Sequence, residues 1–190
     1  MAFVLAVAVG VRLDRSGVAD KWRGEPDDFG KYHAKTFTVV KVVDGDTIDI
    51  DVADGEYEHT RIRLWGIDTP ETKSSRYGVM YYGPAATQLT SELALGEDVT
   101  VYLDEGNRTR GKYGRLLAYV RLSDGRVLNE VLVSEGYAYT DLRFRHSLYN
   151  RYKQLEAVAR SRSKGLWEGV TRKQLPEWLQ KKKPKLLVER

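Results

Sequence analysis

The pattern of hydrophobic and polar positions divides this 190-residue chain into three parts. Residues 2–9 form an unbroken apolar run, and residues 14–35 are polar, with several glycines and one proline. From residue 36 onward, short β-branched runs alternate with polar positions and are separated by Asp-Gly pairs, which is typical of strands joined by tight turns. The predicted strands cover residues 36–43, 46–52, 59–67, 98–103 and 115–122.

Three segments have helical periodicity. The first begins at Gly83-Pro84 and ends before Gly96, because proline is favoured in the first turn of a helix and glycine just after the last. The other two cover residues 127–134 and 148–162. Three strands, a helix, two strands and two helices predict an α+β fold. A helix between the third and fourth of five strands suits an OB-fold, a five-stranded Greek-key β-barrel, with three helices.

The same pattern predicts one domain, residues 36–169, preceded by residues 1–35 and followed by a basic tail, residues 170–190. The apolar run at 2–9 is far shorter than the roughly 20 residues that a membrane-spanning helix needs. It is either the remnant of an export signal or a hydrophobic strand or helix at the start of the mature chain.

The formal charge of +4 favours a polyanionic partner. Residues 171–190 contain seven basic and two acidic residues, a net charge of +5, so the rest of the chain sums to −1. Either this tail adds non-specific phosphate contacts or it is a solvated segment. Within the body, acids concentrate between 42 and 60 and bases between 143 and 164, either as two solvated faces or around a metal and a phosphate.

Several chemistries are disfavoured by what the sequence lacks. It has no cysteine, which excludes disulfides, thiol nucleophiles and cysteine-ligated metals. His33, His59 and His146 are scattered and are predicted to be surface residues. Since no glycine-rich phosphate loop is present, nucleotide-triphosphate chemistry is also disfavoured.

Two aspartates follow predicted strand boundaries. Asp46 comes directly after the Asp44-Gly45 turn and Asp68 after the third strand, so we expect both carboxylates in one groove. Oxygen ligands without histidine or cysteine select a hard cation, Ca²⁺ or Mg²⁺. Pro70 biases Thr69 toward extended backbone, which leaves the Thr69 carbonyl available as a further ligand. A single aspartate at such a place more often caps a turn.

Arginines and a further carboxylate accompany these aspartates. Arg63 precedes Asp68 by five residues, Glu71 follows it by three, and Arg115 begins a later strand. Phosphodiester hydrolysis needs positive charge at the developing phosphorane oxygens and a carboxylate that orients or deprotonates water. The alternative for the arginines is surface salt bridging, worth about 0–1 kcal/mol each. A calcium-binding structural protein would leave both arginines unexplained.

Six segments resemble the staphylococcal nuclease (thermonuclease) family, in family order and with similar spacing from about residue 36 to 169. They are VDGDT at 43–47, RLWGIDTPET at 63–72, YGPAA at 82–86, KYGRLLAY at 112–119, LNE at 128–130 and GLW at 165–167. The resemblance implies an OB-fold, Ca²⁺-dependent endonuclease that cleaves DNA and RNA with little sequence preference and leaves 3′-phosphate ends.

The resemblance also implies a role for each matching residue. The calcium ligands would be Asp46, Asp68 and the Thr69 carbonyl. Arg63 and Arg115 would bind the phosphate, and Glu71 would orient the attacking water. Lys112 and Tyr113 would grip a terminal phosphate and pack on the nucleotide.

The sequence departs from the family where two tyrosines of the nucleotide pocket align with Leu142 and Phe144. Stacking is retained at Phe144, but a hydroxyl contact is lost. A non-catalytic OB-fold module that binds nucleic acid or protein is the alternative, and it is disfavoured because all five acidic and arginine side chains are retained. We expect a monomer, without a membrane span, that is secreted or held in the cell envelope rather than cytoplasmic.

Overall fold

The computed structural model describes residues 28–72 and 78–187. The apolar run at 2–9, with both of its interpretations, lies outside these residues. Within them, no helix has both the length and the hydropathy needed to cross a membrane.

The described strands and helices follow the predicted order with some additions. The strands are β1 (Lys35–Asp44), β2 (Thr47–Ile50), β3 (Thr60–Leu64), β4 (Ile67–Asp68), β5 (Asp98–Tyr102), β6 (Leu116–Arg121) and β7 (Tyr139–Thr140). The helices are α1 (Asp28–Tyr32), α2 (Gly83–Ala94), α3 (Leu128–Ser134), α4 (Tyr149–Ser161) and α5 (Glu177–Lys182), with 3₁₀ turns at Gly165–Glu168 and Arg172–Gln174.

Five of the strands close into a barrel in the order β1-β2-β3-β6-β5, with β5 pairing back to β1. The β3–β6 pair is parallel and the other pairs of the barrel are antiparallel. This closed barrel with its α2 insertion between β3 and β5 confirms the predicted OB-type α+β fold. Burying each aliphatic side chain of its core contributes about 1.5–3 kcal/mol. The fully buried core includes Ile48, Ile50, Ile62, Leu64, Leu116 and Val120.

The prediction of one continuous strand over residues 59–67 is wrong. The strand β3 ends at Leu64, and the chain turns at Gly66, whose φ is +81°. A Cβ atom at this position would lie 2.4 Å from the His146 ring, so only glycine fits. After the turn, Ile67 and Asp68 form β4, which pairs with β7 outside the barrel. The kink therefore carries Asp68 away from the barrel wall.

The C-terminal segment, residues 171–187, is folded against the domain. Leu175 and Leu179 are 3% and 1% exposed and pack with Trp167 in a second hydrophobic cluster. The segment is therefore not entirely solvated, because these two leucines are buried, although Lys181 and Lys182 are exposed. The burial arises because the apolar residues Leu175, Trp178 and Leu179 lie between two groups of basic residues, a pattern that net charge alone does not reveal.

A single amide fixes the turn between β3 and β4. The fully buried Asn129 of α3 accepts a hydrogen bond from the Val120 N–H at 3.0 Å. Its side-chain NH₂ donates to the carbonyls of Trp65 at 3.1 Å and Ala118 at 3.2 Å. Three buried backbone groups are thereby satisfied by one side chain, which ties α3, β6 and the turn together.

A buried carboxylate holds the loop between β7 and α4. Asp104 accepts hydrogen bonds at 2.8 Å from the Ser147 N–H, the Ser147 hydroxyl and the Tyr119 hydroxyl. Burial opposes ionisation of Asp104, but these hydrogen bonds and one from the Asn107 side chain outweigh it and lower its pKa to about 2.

The prediction that His146 is a surface residue is wrong. Its side chain lies in the same network, with Nδ1 3.0 Å from the Tyr119 hydroxyl, and the residue is only 7% exposed. Burial lowers the pKa of His146, which favours the neutral ring. The ring fills the space that Gly66 leaves, so this histidine packs the kink instead of facing solvent.

Replacing Asn129 with leucine should lower the free energy of unfolding by at least about 2 kcal/mol, because the Val120 N–H and the Trp65 carbonyl lose this partner at about 1–3 kcal/mol each. The Ala118 carbonyl still accepts from the Trp65 N–H at 2.8 Å. Urea unfolding at pH 7, followed by tryptophan fluorescence, measures this loss. The matched control is Asn150→Leu, at an exposed position of α4, which should change stability by less than about 0.5 kcal/mol. A similar small change in both variants would contradict the assigned role.

Replacing Asp104 with asparagine should cost about 2 kcal/mol of stability at pH 7, the linkage value for a carboxyl whose pKa falls from 3.8 to about 2 on folding. Because the folded pKa is the lower one, this contribution is present above pH 4 and is lost as the pH falls toward 2. The difference in unfolding free energy between wild type and variant should therefore narrow between pH 5 and pH 3.

The control for that comparison is Asp124→Asn, at an exposed turn. It should show a much smaller difference at every pH. A gap between Asp104→Asn and wild type that stays constant from pH 7 to pH 3 would show that the carboxylate charge of Asp104 does not stabilise the fold.

Candidate functional site

A cavity of about 600 Å³ opens beside the barrel, where the β3–β4 turn meets the loops at 108–115 and 141–147. Charged residues dominate its lining, with aromatic rings at its edge. The lining includes Asp44, Arg63, Asp68, Glu71, Arg108, Lys112, Tyr113, Arg115, Arg143 and Phe144. This cavity brings together every predicted catalytic residue.

Asp46 is anchored by the backbone just beyond β4. It is 2% exposed, and its Oδ2 accepts a hydrogen bond from the Thr69 N–H at 2.7 Å. Its Oδ1 lies 3.2 Å from the Thr47 hydroxyl, which donates to it. The turn before β2 and the residue after β4 are thus joined through one buried carboxylate, which places the predicted ligands Asp46 and Thr69 next to each other.

Arg63 joins the two predicted metal carboxylates. One terminal nitrogen of its guanidinium forms an ion pair with Asp46, and the other lies 2.5 Å from Asp68 Oδ1. The second nitrogen also donates to the Ile67 carbonyl at 3.2 Å. Because the Arg63 side chain is only 16% exposed, the pair of carboxylates faces a desolvated positive charge.

Two further residues that no motif indicated also contact Asp68. A guanidinium nitrogen of Arg143 lies 3.2 Å from Asp68 Oδ1, and the indole Nε1 of Trp178 donates to Asp68 Oδ2 at 2.7 Å. Arg143 is oriented by two hydrogen bonds of 2.8 Å to Asp141. The cluster of bases between 143 and 164 was a signal for Arg143, whereas the sequence carries none for Trp178.

Glu71 and Arg115 interact electrostatically across the cavity. Partial burial raises the pKa of Glu71, as do the nearby carboxylates of Asp68 and Asp44, against the opposing effect of Arg63 and Arg115. Burial also lowers the pKa of Arg115, and the positive charge of Arg63 adds to that shift. Two arginines close together in a partly desolvated cavity favour the binding of an anion beside them.

The loop with Lys112 and Tyr113 projects over the cavity. The Tyr113 ring is 71% exposed, with the Lys112 ammonium 4.4 Å and the Arg115 guanidinium 5.7 Å from its centre. An exposed ring flanked by cations suits contact with a base and its phosphate. The structure therefore brings both predicted substrate-binding residues to the site.

This loop is braced by the segment ahead of the barrel. Arg110 forms ion pairs with Asp28 and Asp54, and the Thr109 hydroxyl donates to Asp28 at 2.6 Å. Burial opposes the charge of Arg110, but the two aspartates outweigh it and raise its pKa. The helix α1, within residues predicted to precede the domain, thus fixes the base of the Lys112 loop.

Leu142 and Phe144 differ in their surroundings. Phe144 is 40% exposed and lines the cavity, with the Arg108 guanidinium 5.3 Å from its ring centre and Trp65 5.7 Å away. Leu142 packs instead against the second hydrophobic cluster. Of the two residues, therefore, only Phe144 presents its side chain to a ligand in the cavity.

The donor set fits a hard divalent cation. Asp46 and Asp68 meet across one guanidinium, so their oxygens face a common point already suited to positive charge. Two carboxylates and a nearby backbone carbonyl are ligands of the kind that Ca²⁺ accepts, with water completing its shell. Over residues 28–72 and 78–187, no group of three or more acidic or histidine side chains forms a fuller protein cage.

Comparison with known proteins identifies the family of the chain. A family model described as staphylococcal nuclease homologue matches residues 61–169. The thermonuclease of Staphylococcus hyicus is 34% identical over 134 residues, which cover 70% of this chain and 76% of that protein. The thermonuclease of Staphylococcus intermedius is 36% identical over 135 residues, covering 70% and 77%. Endonuclease YncB of Bacillus subtilis is 37% identical over 115 residues, covering 60% and 52%. The chain therefore belongs to the staphylococcal nuclease family.

Proposed function

We propose that this protein is a Ca²⁺-dependent, largely non-specific endonuclease that hydrolyses DNA and RNA and leaves 3′-phosphate ends. The observation that carries the proposal is the meeting of Arg63, Arg115, Glu71 and Asp68 in one cavity, with the buried Asp46 paired to Arg63. Membership in a family whose similar proteins are named thermonucleases and endonucleases supports hydrolysis of nucleic acid. The catalytic domain in this proposal is residues 36–169, braced from outside by Asp28 and Trp178.

The metal would be held by Asp46, Asp68 and the Thr69 carbonyl. When bound, Ca²⁺ supplies Lewis-acid stabilisation of negative charge on the phosphate. The buried hydrogen bond from the Thr69 N–H to Asp46 keeps these groups close together. The choice of Ca²⁺ over Mg²⁺ rests on the family resemblance, because both ions prefer oxygen ligands.

Arg63 and Arg115 bind the scissile phosphate in this mechanism. Arg63 pairs with Asp46 and Asp68 in this structure, and its guanidinium borders the cavity, where it would face a phosphate. Arg115 is partly buried and lies near the charge of Arg63, so an anion between them relieves their repulsion. Both contacts strengthen as negative charge accumulates on the phosphorane oxygens. They therefore lower the activation barrier of hydrolysis in addition to strengthening substrate binding.

Glu71 positions the attacking water. Its carboxylate borders the cavity on the same segment as Asp68 and Thr69, with Arg63 and Arg115 acting on it electrostatically. A carboxylate at this place accepts a hydrogen bond from water and aims its oxygen at the phosphorus.

Lys112, Tyr113 and Phe144 hold the nucleotides beside the cleaved bond. The exposed rings of Tyr113 and Phe144 can stack on any base, and such stacking contributes about 1–3 kcal/mol per base whatever the sequence. Lys112 supplies a charge for a terminal phosphate. Stacking and phosphate contacts without base-edge readout favour cleavage with little sequence preference.

Arg115→Ala and Glu71→Gln should each lower the rate of cleavage sharply. An arginine that meets transition-state charge contributes about 10³–10⁵ in rate in phosphoryl transfer, and we expect a loss of about 10³-fold for Arg115→Ala. Glu71→Gln keeps the shape of the side chain but removes its charge and basicity, for which about 10²–10⁴-fold is expected. The measurement is a gel assay on single-stranded DNA, double-stranded DNA and RNA in Ca²⁺, repeated in chelator.

The control variant is Arg126→Ala, at an exposed turn where Arg126 pairs with Asp124, and it should cleave at the wild-type rate. Products should support primer extension only after a phosphatase has removed their 3′-phosphate. Cleavage that survives chelation, or that is unaffected by both active-site substitutions, would refute the mechanism. Binding of nucleic acid without cleavage by wild type would favour the non-catalytic module.

A further inference from the structure

The C-terminal segment reaches the candidate metal site through one side chain. Trp178 of α5 is half-buried, and its indole N–H donates to Asp68 Oδ2 at 2.7 Å. Trp178 lies beyond residue 169, where the match to the family model ends. We propose that Trp178 is a positioning residue that orients Asp68 and thereby raises the affinity of the site for a divalent cation; this inference rests on the metal-dependent function proposed above.

The segment that carries Trp178 is firmly attached to the domain. Leu179, the next residue, is 1% exposed, and Leu175 on the preceding turn is 3% exposed. Both pack against Trp167, and the Gln180 side chain donates to the Leu175 carbonyl at 2.7 Å. Because α5 is anchored on both sides of Trp178, the indole reaches Asp68 from a fixed direction.

A cation–π contact also holds the indole in place. The Arg143 guanidinium lies 4.7 Å from the centre of the Trp178 ring and is itself fixed by two hydrogen bonds to Asp141. Cation–π contact of this kind is attractive, because the face of the indole ring is electron-rich. Trp178 is thus positioned from one side by packing and from the other by Arg143.

The two oxygens of Asp68 have different partners. Oδ1 faces the guanidinium groups of Arg63 and Arg143, whereas Oδ2 accepts from a neutral N–H. Positive side chains compete with a metal ion for the carboxylate, but a neutral donor carries no net charge and can remain bonded when a cation is present. The indole therefore fixes the carboxylate without opposing the cation.

Residues behind metal ligands typically affect metal affinity by about 10- to 100-fold. Trp178→Phe keeps an aromatic ring against Arg143 and removes the N–H donor together with the five-membered ring that carries it. We expect this variant to bind Ca²⁺ about 10-fold more weakly than wild type. Its thermal unfolding temperature in chelator should stay close to the wild-type value, since α5 remains packed through Leu175 and Leu179.

The experiment is calorimetric titration of Ca²⁺ alone into the full chain for wild type, Trp178→Phe and Lys182→Ala. Lys182 is an exposed residue of the same helix, so its variant should bind Ca²⁺ as wild type does. The nuclease assay adds a second readout, because the Ca²⁺ concentration for half-maximal rate should rise in Trp178→Phe while the rate at saturating Ca²⁺ recovers. A purely structural role of Trp178 would lower the unfolding temperature without this shift.

A third readout does not require Trp178 to be replaced. In a ¹⁵N-correlated NMR spectrum, the indole N–H signal of Trp178 should move in Asp68→Ala, because the acceptor is removed. An unmoved signal, or wild-type Ca²⁺ affinity in Trp178→Phe, would overturn this inference and leave the proposed nuclease intact. Absence of Ca²⁺ binding by wild type would instead overturn the proposed metal dependence and this inference with it.

Discussion

The ion pairs of Arg63 with Asp46 and Asp68 are the interaction on which the site depends. Taking a carboxylate out of water costs several kcal/mol unless an opposite charge compensates it. Asp46 is almost fully buried and the Asp68 side chain is 14% exposed, so neither is stable there without a cation close by. The fold therefore builds a place for positive charge, which Arg63 fills in this structure.

The surrounding architecture keeps the two carboxylates at that place. Gly66 turns the chain out of the barrel, so that Asp68 reaches the site on β4 instead of continuing along β3. Asn129 fixes the same turn through the Trp65 carbonyl, and His146 fills the space beside Gly66. Residues that contact no substrate in this account thus determine where the charged groups lie, which is the general way that packed cores position functional side chains.

Sequence reasoning recovers the barrel because its signals are local. Asp-Gly turns and β-branched alternation identify five strands, and Gly83-Pro84 marks the start of α2. The site residues Asp46, Arg63 and Asp68 were also predictable, since each lies at a strand boundary or inside a short motif. The break at Gly66 was missed because Trp65 and Ile67 extend the apolar run beyond Leu64. Its cause, the His146 ring, lies 80 residues away in sequence. Trp178 was missed for the same reason, because its contact with Asp68 spans 110 residues and exists only after folding.

Arg63 occupies the place of positive charge between two carboxylates, where we propose that a divalent cation binds. Calorimetric titration of Ca²⁺ into wild type and Arg63→Gln tests this most directly, because the substitution removes the competing guanidinium and leaves both carboxylates in place. We expect Arg63→Gln to bind Ca²⁺ at least as tightly as wild type, although it no longer cleaves nucleic acid. Markedly weaker Ca²⁺ binding by a folded Arg63→Gln variant would contradict it.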